Sequence, residues 1–230
     1  GDQCAGRLDG EGPITTFTYG RSFLERDLAI PLYAPELPLV EGRQVPEFPP
    51  IHGCIADAGP DAWGRRVIQR RHDAAGGTNL DLTDVTYLLE SSSDRIGALD
   101  FQPSPHEYFS RTDGPVSLEM LMRAAEAVDE SLPLPQELDA PLLHGTTLGG
   151  AQPKAALFDG TKHLIAKFSS RVDVLPVVKL EYIAMTLARE AGLSVAPVEI
   201  AQVRGKDVLL VERFDRSDEG TRSLVVSART

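Results

Sequence analysis

Apolar positions along the first half of the chain follow two rhythms. Ile14-Thr-Thr-Phe-Thr-Tyr19 is β-branched and aromatic, the composition of a strand. Asp61 to His72 is a run of good helix formers with Pro60 just ahead, and predicts a helix with a basic face. Asp81 to Glu90 opens on a capping-type residue and predicts a second helix, and Ile96 to Phe101 reads as a short strand. Ser117 is placed to cap a helix running to about Asp129, with Leu118, Leu121, Met122, Ala125 and Val128 at helical spacing.

Beyond residue 144 the pattern changes. Lys154 to Phe158 and Lys162 to Phe168 predict two strands joined at Asp159-Gly160, a strong hairpin signal. Val178 to Ala191 predicts an amphipathic helix with Leu180, Ile183, Ala184, Leu187 and Ala191 on one face and Gly192 as its left-handed cap. Val198 to Val203 and Val208 to Val211 predict a second hairpin over Arg204-Gly205-Lys206-Asp207. Two Pro-rich stretches, 31–50 and 133–141, are expected to be neither helix interior nor central strand, because proline lacks an N–H and fixes φ. The second sets a linker at 131–144, between an accessory region 1–130 and a region 145–230. The fold class expected is α+β: a mixed α/β N-terminal part, then an antiparallel sheet with one helix.

Composition narrows the function classes. A chain of 230 residues with 42% hydrophobic and 25% charged residues can build a real core, which excludes collagen, wholesale disorder and a coiled coil. No window approaches the ~18 uninterrupted apolar residues of a membrane span, and no basic-then-apolar leader opens the chain. A net charge of -11 argues against DNA or RNA as a direct, delocalised ligand. Arg65-Arg66 with Arg70-Arg71 remains a candidate local anion site. The 2 cysteines, Cys4 and Cys54, have no zinc spacing and read as free thiols of a cytoplasmic protein. His52, His72, His106, His144 and His163 are scattered without a nucleophile motif, Asp57, Asp61, Asp94 and Asp100 are expected to be caps and surface residues, and Trp63 is expected to pack in a core or between domains.

Candidate chemistry begins at Gly145-Thr-Thr-Leu-Gly149-Gly-Ala-Gln-Pro-Lys154, a loop whose backbone N–H groups can approach phosphates. It fits neither a Walker A loop nor G-x-G-x-x-G, and by itself a plain flexible turn is the favoured reading. Lys167 lies between apolar neighbours in the second hairpin strand, where an ammonium either meets an anion or snorkels to solvent. Glu181, in the following helix, is a geometric candidate for its partner. A Gly-rich loop, a strand Lys and a helix Glu, in that order, are the parts of a protein-kinase small lobe. Val208-Leu-Leu-Val running into Glu212-Arg213-Phe214 suits a hinge between kinase lobes, although a strand ending in a solvated charge cluster reads the same way.

The motifs together resemble the HipA-like serine/threonine kinases, toxin components of bacterial toxin–antitoxin pairs. Gly6-Arg-Leu8 and Phe17-Thr-Tyr19 are similar to the family's opening strands, Asp57 to Arg66 to its PDxWGRR helix start, and Asp94 to Leu99 to its DxxGAL strand. Gly149 to Lys154 resembles its GGAQxK loop, and Glu212 to Arg216 matches its ERFDR run. The resemblance implies ATP and Mg2+ as cofactors of the full kinase. Gly149, Gly150, Ala151, Gln152, Pro153 and Lys154 would line the phosphates, Lys167 would be the ATP-binding lysine, and Glu212, Arg213 and Phe214 would flank adenine. Thr147, with Thr146 adjacent, stands where family members carry a serine whose phosphorylation ejects the loop. A HipB-like antitoxin is the implied partner, with DNA reached only through it, and a translation-related protein such as an aminoacyl-tRNA synthetase is the implied substrate. The catalytic and magnesium-binding aspartates are expected downstream of the ERFDR run, and Asp215 and Asp218 are misplaced for those roles. The chain therefore reads as an N-terminal portion, inactive alone. The alternatives are a non-catalytic module that binds an antitoxin or co-repressor, and a small-molecule kinase on the same lobe.

Overall fold

The computed structural model describes residues 3–76, 82–111, 114–148, 150–217 and 219–230. β1 (Gly6–Glu11) and β2 (Ile14–Tyr19) pair antiparallel, Gly6 opposite Tyr19, and β3 (Arg43–Gln44) adds to the free edge of β2. Phe17 and Tyr19 pack with Phe23 of α1 (Arg21–Leu24), Leu37, Ile51, and Cys54 and Ile55 of α2 (Gly53–Ala56). The first Pro-rich stretch crosses this core as a strap held by side chains. The Tyr19 hydroxyl donates to the Leu37 carbonyl at 2.8 Å and accepts from the Leu32 N–H at 2.9 Å. The Glu36 carboxylate accepts from the N–H groups of Gly53 and Cys54 at 3.1 and 2.8 Å, satisfying the exposed donors at the start of α2. Cys4 and Cys54 are free thiols; burial, then the Glu36 carboxylate, pushes the Cys54 thiol up to about 12, which leaves it unreactive.

α3 (Ala62–Ala74) starts where expected, with Asp61 as N-cap accepting from Trp63 and Gly64. α4 (Asp84–Glu90) starts later than predicted, at a Thr83 cap, and Asp81 lies outside the described residues. α5 (Leu118–Asp129) is capped by Ser117 and buries Leu121, Met122, Ala125 and Val128. The predicted linker contains a 3-10 turn at Gln136–Leu138 and a helix, α6 (Asp139–Leu143), with Leu138 and Leu142 buried. The stretch holds a short helix without placing a proline in a helix interior: Pro141 sits in the first turn of α6, where a backbone N–H has no acceptor within the helix anyway.

The second sheet is antiparallel, in the order β4 (Lys154–Phe158), β5 (His163–Lys167), β7 (Lys206–Glu212) and β6 (Val198–Val203). Asp159 closes the first hairpin by accepting from the N–H groups of Thr161 and Lys162 at 2.8 and 2.7 Å. The second turn is tighter than expected: Val203 already faces Lys206, leaving Arg204 and Gly205 as the turn. α7 (Val177–Glu190) packs on this sheet, with Gly192 beyond it at φ +85. Trp63 and Val67 of α3, Leu121 and Val128 of α5, Leu142 of α6 and Ala155, Ala166 and Val208 of the sheet share one core, so residues on both sides of 131–144 are packed together. The backbones of α3 and the segment after α6 approach closely: a Cβ on Gly64 would lie 2.4 Å from the Thr146 carbonyl oxygen.

The architecture is α+β, with two departures from expectation. Leu180, Ile183 and Leu187, on the apolar face of α7, are 45%, 50% and 63% exposed. The face carrying Val178, Glu181, Tyr182 and Met185 is the more buried one, and there Glu181 pairs with Lys167 of β5. The second departure is at Ile96 to Phe101, which forms no strand. Its backbone is bound by side chains from another part of the chain. Gly97, at φ +81, donates its N–H to Asp215 Oδ2 at 2.7 Å and its carbonyl accepts from Arg216 at 3.0 Å.

That contact belongs to a buried ionic junction. Asp94 takes Arg213 at 2.9 Å and Arg216 at 3.1 Å, and Asp215 takes the same two guanidiniums at 2.7 and 2.6 Å. Asp100 holds Arg95 and Arg111 at 2.8 and 2.7 Å. Asp94 and Asp100 are therefore buried ion-pair members and not the surface residues expected. Burial alone would raise the Asp94 and Asp215 carboxyls, but the Arg213 and Arg216 guanidiniums overcome it and hold both below the usual carboxylate range. Asp215→Ala leaves two buried guanidiniums sharing the single Asp94 carboxylate and is expected to cost about 3 kcal/mol in urea unfolding at neutral pH. Because the folded carboxyls titrate below the unfolded value of about 3.9, the junction contributes fully above that pH and is lost as pH falls through the folded values. The stability gap between wild type and Asp215→Ala should thus narrow below about pH 4; a gap independent of pH contradicts the junction.

Candidate anion site at the glycine-rich loop

The β4–β5 register sets Lys154 directly opposite Lys167. Residues opposite each other in an antiparallel pair project to the same face, so two ammonium groups share one rung. Lys167 is ion-paired with Glu181 of α7, and the three groups meet on the side of the sheet that α7 covers. Lys154 is 3% exposed, and its Nζ has no hydrogen-bond partner. The nearest carboxylate is Asp61 at the N-cap of α3, with Oδ2 4.0 Å from Nζ and likewise unpartnered. Burial draws the Lys154 ammonium down to about 8; Asp61 and Glu181 oppose that fall and Lys167 adds to it. Burial pushes the Asp61 carboxyl up, against the pull of Lys154 and of the two capped N–H groups.

The glycine-rich loop lies over this amine. A Cβ on Gly150 would come within 3.1 Å of Lys154 Nζ, so only a glycine lets the backbone pass so close. Gly149 lies outside the described residues. Gly150 and Ala151 are exposed, whereas Pro153 is buried and its carbonyl accepts from the Phe168 N–H at 2.9 Å. Gln152 is anchored inward, donating to the Phe168 carbonyl and to Asp173 at 2.8 and 2.9 Å. The loop is held at its root by Trp63, whose Nε1 donates to the Lys154 carbonyl at 3.0 Å. Trp63 thus packs in the core, as expected.

Both threonines before the loop are fully buried. Thr146 Oγ1 accepts from the Ser92 N–H at 2.9 Å and donates to the Leu143 carbonyl at 2.7 Å. Thr147 Oγ1 donates to the Asp94 carbonyl at 2.9 Å, on the residue whose carboxylate binds Arg213 and Arg216.

The Glu212 to Phe214 run has three fates. Glu212 pairs with Lys162 across the sheet, Arg213 is buried in the ionic junction, and Phe214 is 72% exposed. The N–H groups of Glu212 and Arg213 are taken by the carbonyls of Pro197 and His163, each at 2.9 Å. The side chains the structure brings together are thus Lys154, Lys167 and Glu181; Arg213 is turned away from them.

The arginines of α3 do not form the anion site that their clustering suggested. Arg65 pairs with Asp84, Arg66 with Asp129 and Arg71 with Asp139, and Arg70 donates to the Leu132 carbonyl. A cleft of about 320 Å³ elsewhere is lined by Glu126, Asp129, Glu130 and Asp207 with Arg171 and Lys206, so its carboxylates outnumber its cations, which disfavours phosphate. Among the described residues no cluster of three or more His, Cys, Asp or Glu is arranged to hold a metal ion. Sequence reasoning missed Asp61 as a neighbour of Lys154, since no spacing rule links positions so far apart.

Residues 1–102 match the family model described as HipA N-terminal domain, and residues 146–230 match HipA-like C-terminal domain. No curated protein sequence matches. Among solved structures, a chain from the Shewanella oneidensis MR-1 toxin–antitoxin complex of HipA, HipB and its operator DNA superposes with a TM-score of 0.58 at 20% identity. That match covers 96% of this chain and 51% of the other, so the chain spans about half the length of its structural relative. No described helix is long and apolar enough to cross a membrane. With the two domain models in the order the motifs imply, on a fold shared with a HipA-system chain, the chain belongs to the HipA-like family of toxin–antitoxin proteins.

Proposed function

We propose that this chain is the ATP-gripping part of a HipA-like serine/threonine protein kinase toxin. The observation that carries the reading is the shared rung of Lys154 and Lys167, with Glu181 fixing the second and Gly150 lying over the first. A buried ammonium with no hydrogen-bond partner, its nearest carboxylate 4.0 Å away, is costly unless an anion meets it, and Gly150 beside it is exposed. The triphosphate would lie between the loop and the two amines, neutralising both. ATP would supply the γ-phosphoryl group, and a protein hydroxyl would accept it with release of ADP. In the whole kinase, the aspartate that orients the hydroxyl and the one that holds Mg2+ would come from the part of the family fold that this chain does not span. A HipB-like antitoxin is the proposed partner, since the Shewanella structure is a complex with HipB. The target would be a cytoplasmic, translation-related protein such as an aminoacyl-tRNA synthetase.

Lys167→Ala is the direct test. Charge-assisted hydrogen bonds contribute about 1.5–3 kcal/mol, so ATP affinity by calorimetry should fall about tenfold or more. Equal affinity for both proteins contradicts the assignment.

Thr147 is proposed as the regulatory phosphosite. Its hydroxyl is fully buried and donates to the Asp94 carbonyl, a contact that a phosphate of about -1.5 to -2 charge would break. Thr147→Glu should therefore expel the segment, raising protease cleavage between residues 145 and 153 and lowering ATP affinity. Wild-type protection together with wild-type affinity contradicts the switch.

A further inference from the structure

We infer that Asp61 is a positioning residue for the anion site: its carboxylate, carried by the N-terminal region, keeps Lys154 cationic beneath the glycine-rich loop. The inference deepens the nucleotide reading and rests on it for its functional meaning, but its geometry stands alone. Asp61 does two things with one side chain. Oδ1 accepts from the N–H groups of Trp63 and Gly64, at 3.1 and 3.2 Å, and so starts α3. Oδ2 makes no hydrogen bond and faces Lys154 Nζ at 4.0 Å. A carboxylate used only as a cap would not need its second oxygen buried against an ammonium.

The groups that face Lys154 are Asp61 from the start of α3, Lys167 from β5 and Glu181 from α7. Glu181 is engaged by Lys167, and Lys167 repels Lys154. Asp61 is the largest influence that favours the charged amine against burial. The distance also matters. At 4.0 Å the pair attracts without a closed hydrogen bond, so the amine is held charged but is not locked to its partner. An incoming phosphate oxygen finds a cation ready to donate. The N-terminal region thereby sets the charge of a site whose loop belongs to the second sheet. Trp63, two residues beyond Asp61, fixes the geometry by bonding the Lys154 carbonyl.

The test uses Asp61→Asn and Asp61→Ser in the full chain. Asn and Ser are both good N-caps, so α3 should persist while the carboxylate is lost. The first readout needs no nucleotide: the titration of Lys154 followed by NMR of isotope-labelled lysine, assigned with Lys154→Arg. The wild-type midpoint should lie near the value of about 8 set by burial and its neighbours. In both variants it should fall by about one unit, a tenfold loss in proton affinity. The second readout is ATP affinity against pH. Wild-type affinity should decline as pH rises through the Lys154 midpoint, and the decline should begin about one unit lower in the variants. A Lys154 midpoint unchanged in both folded variants overturns the inference whatever ATP does. If the midpoint shifts but wild type does not bind ATP, the inference holds for the charge pair and the nucleotide reading fails instead. A purely capping Asp61 would change stability and leave both pH profiles in place.

Discussion

Two lysines face each other across one rung of a β-ribbon, and the surrounding structure answers that repulsion. Like charges directly opposite in a sheet destabilise it, and burying one of them makes the conflict worse. The chain meets it with a carboxylate from each side. Glu181 reaches in from α7 and pairs with Lys167, while Asp61 comes from the start of α3 and faces Lys154. On α7 the face of Val178 and Glu181 is the more buried one, while Leu180, Ile183 and Leu187 face solvent.

The second organising device is the junction of Asp94, Arg213, Asp215 and Arg216. It ties the end of β7 to the loop around Arg95 and Gly97, and through the Asp94 carbonyl it also holds Thr147. The segment before the glycine-rich loop, the loop around Gly97 and the strand leading to Phe214 are therefore joined by one set of buried polar contacts. Such networks are costly when half-satisfied and rigid when complete. A change at Thr147 bears on the Asp94 backbone, and a change at Asp94 reaches Arg213.

The sequence was most legible where local rules dominate. Asp61, Ser117 and Gly192 mark helix boundaries by their own chemistry, and Asp159-Gly160 marks a hairpin. It was least legible where distant side chains replace backbone pairing. Ile96 to Phe101 has the composition of a strand, yet the backbone of Gly97 is bound by side chains 118 and 119 residues away, which no local pattern announces. The helical spacing of α7 was readable, but the helix carries apolar residues on two faces, and spacing does not say which of them meets the sheet. Pro141 could enter a helix because position within a helix, not composition, decides what a proline costs. At the site, order along the chain pointed to Lys167 and Glu181, whereas the neighbourhood of Asp61 and Lys154 exists only once α3 is packed against β4. The basic cluster of α3 misled because each guanidinium is occupied from within.

The most direct measurement is a crystal structure of the chain with a non-hydrolysable ATP analogue and Mg2+. The account predicts phosphate oxygens within hydrogen-bond distance of both Lys154 Nζ and Lys167 Nζ, beneath the backbone around Gly150. Phosphates bound elsewhere, with Lys154 still facing Asp61 undisturbed, would contradict it.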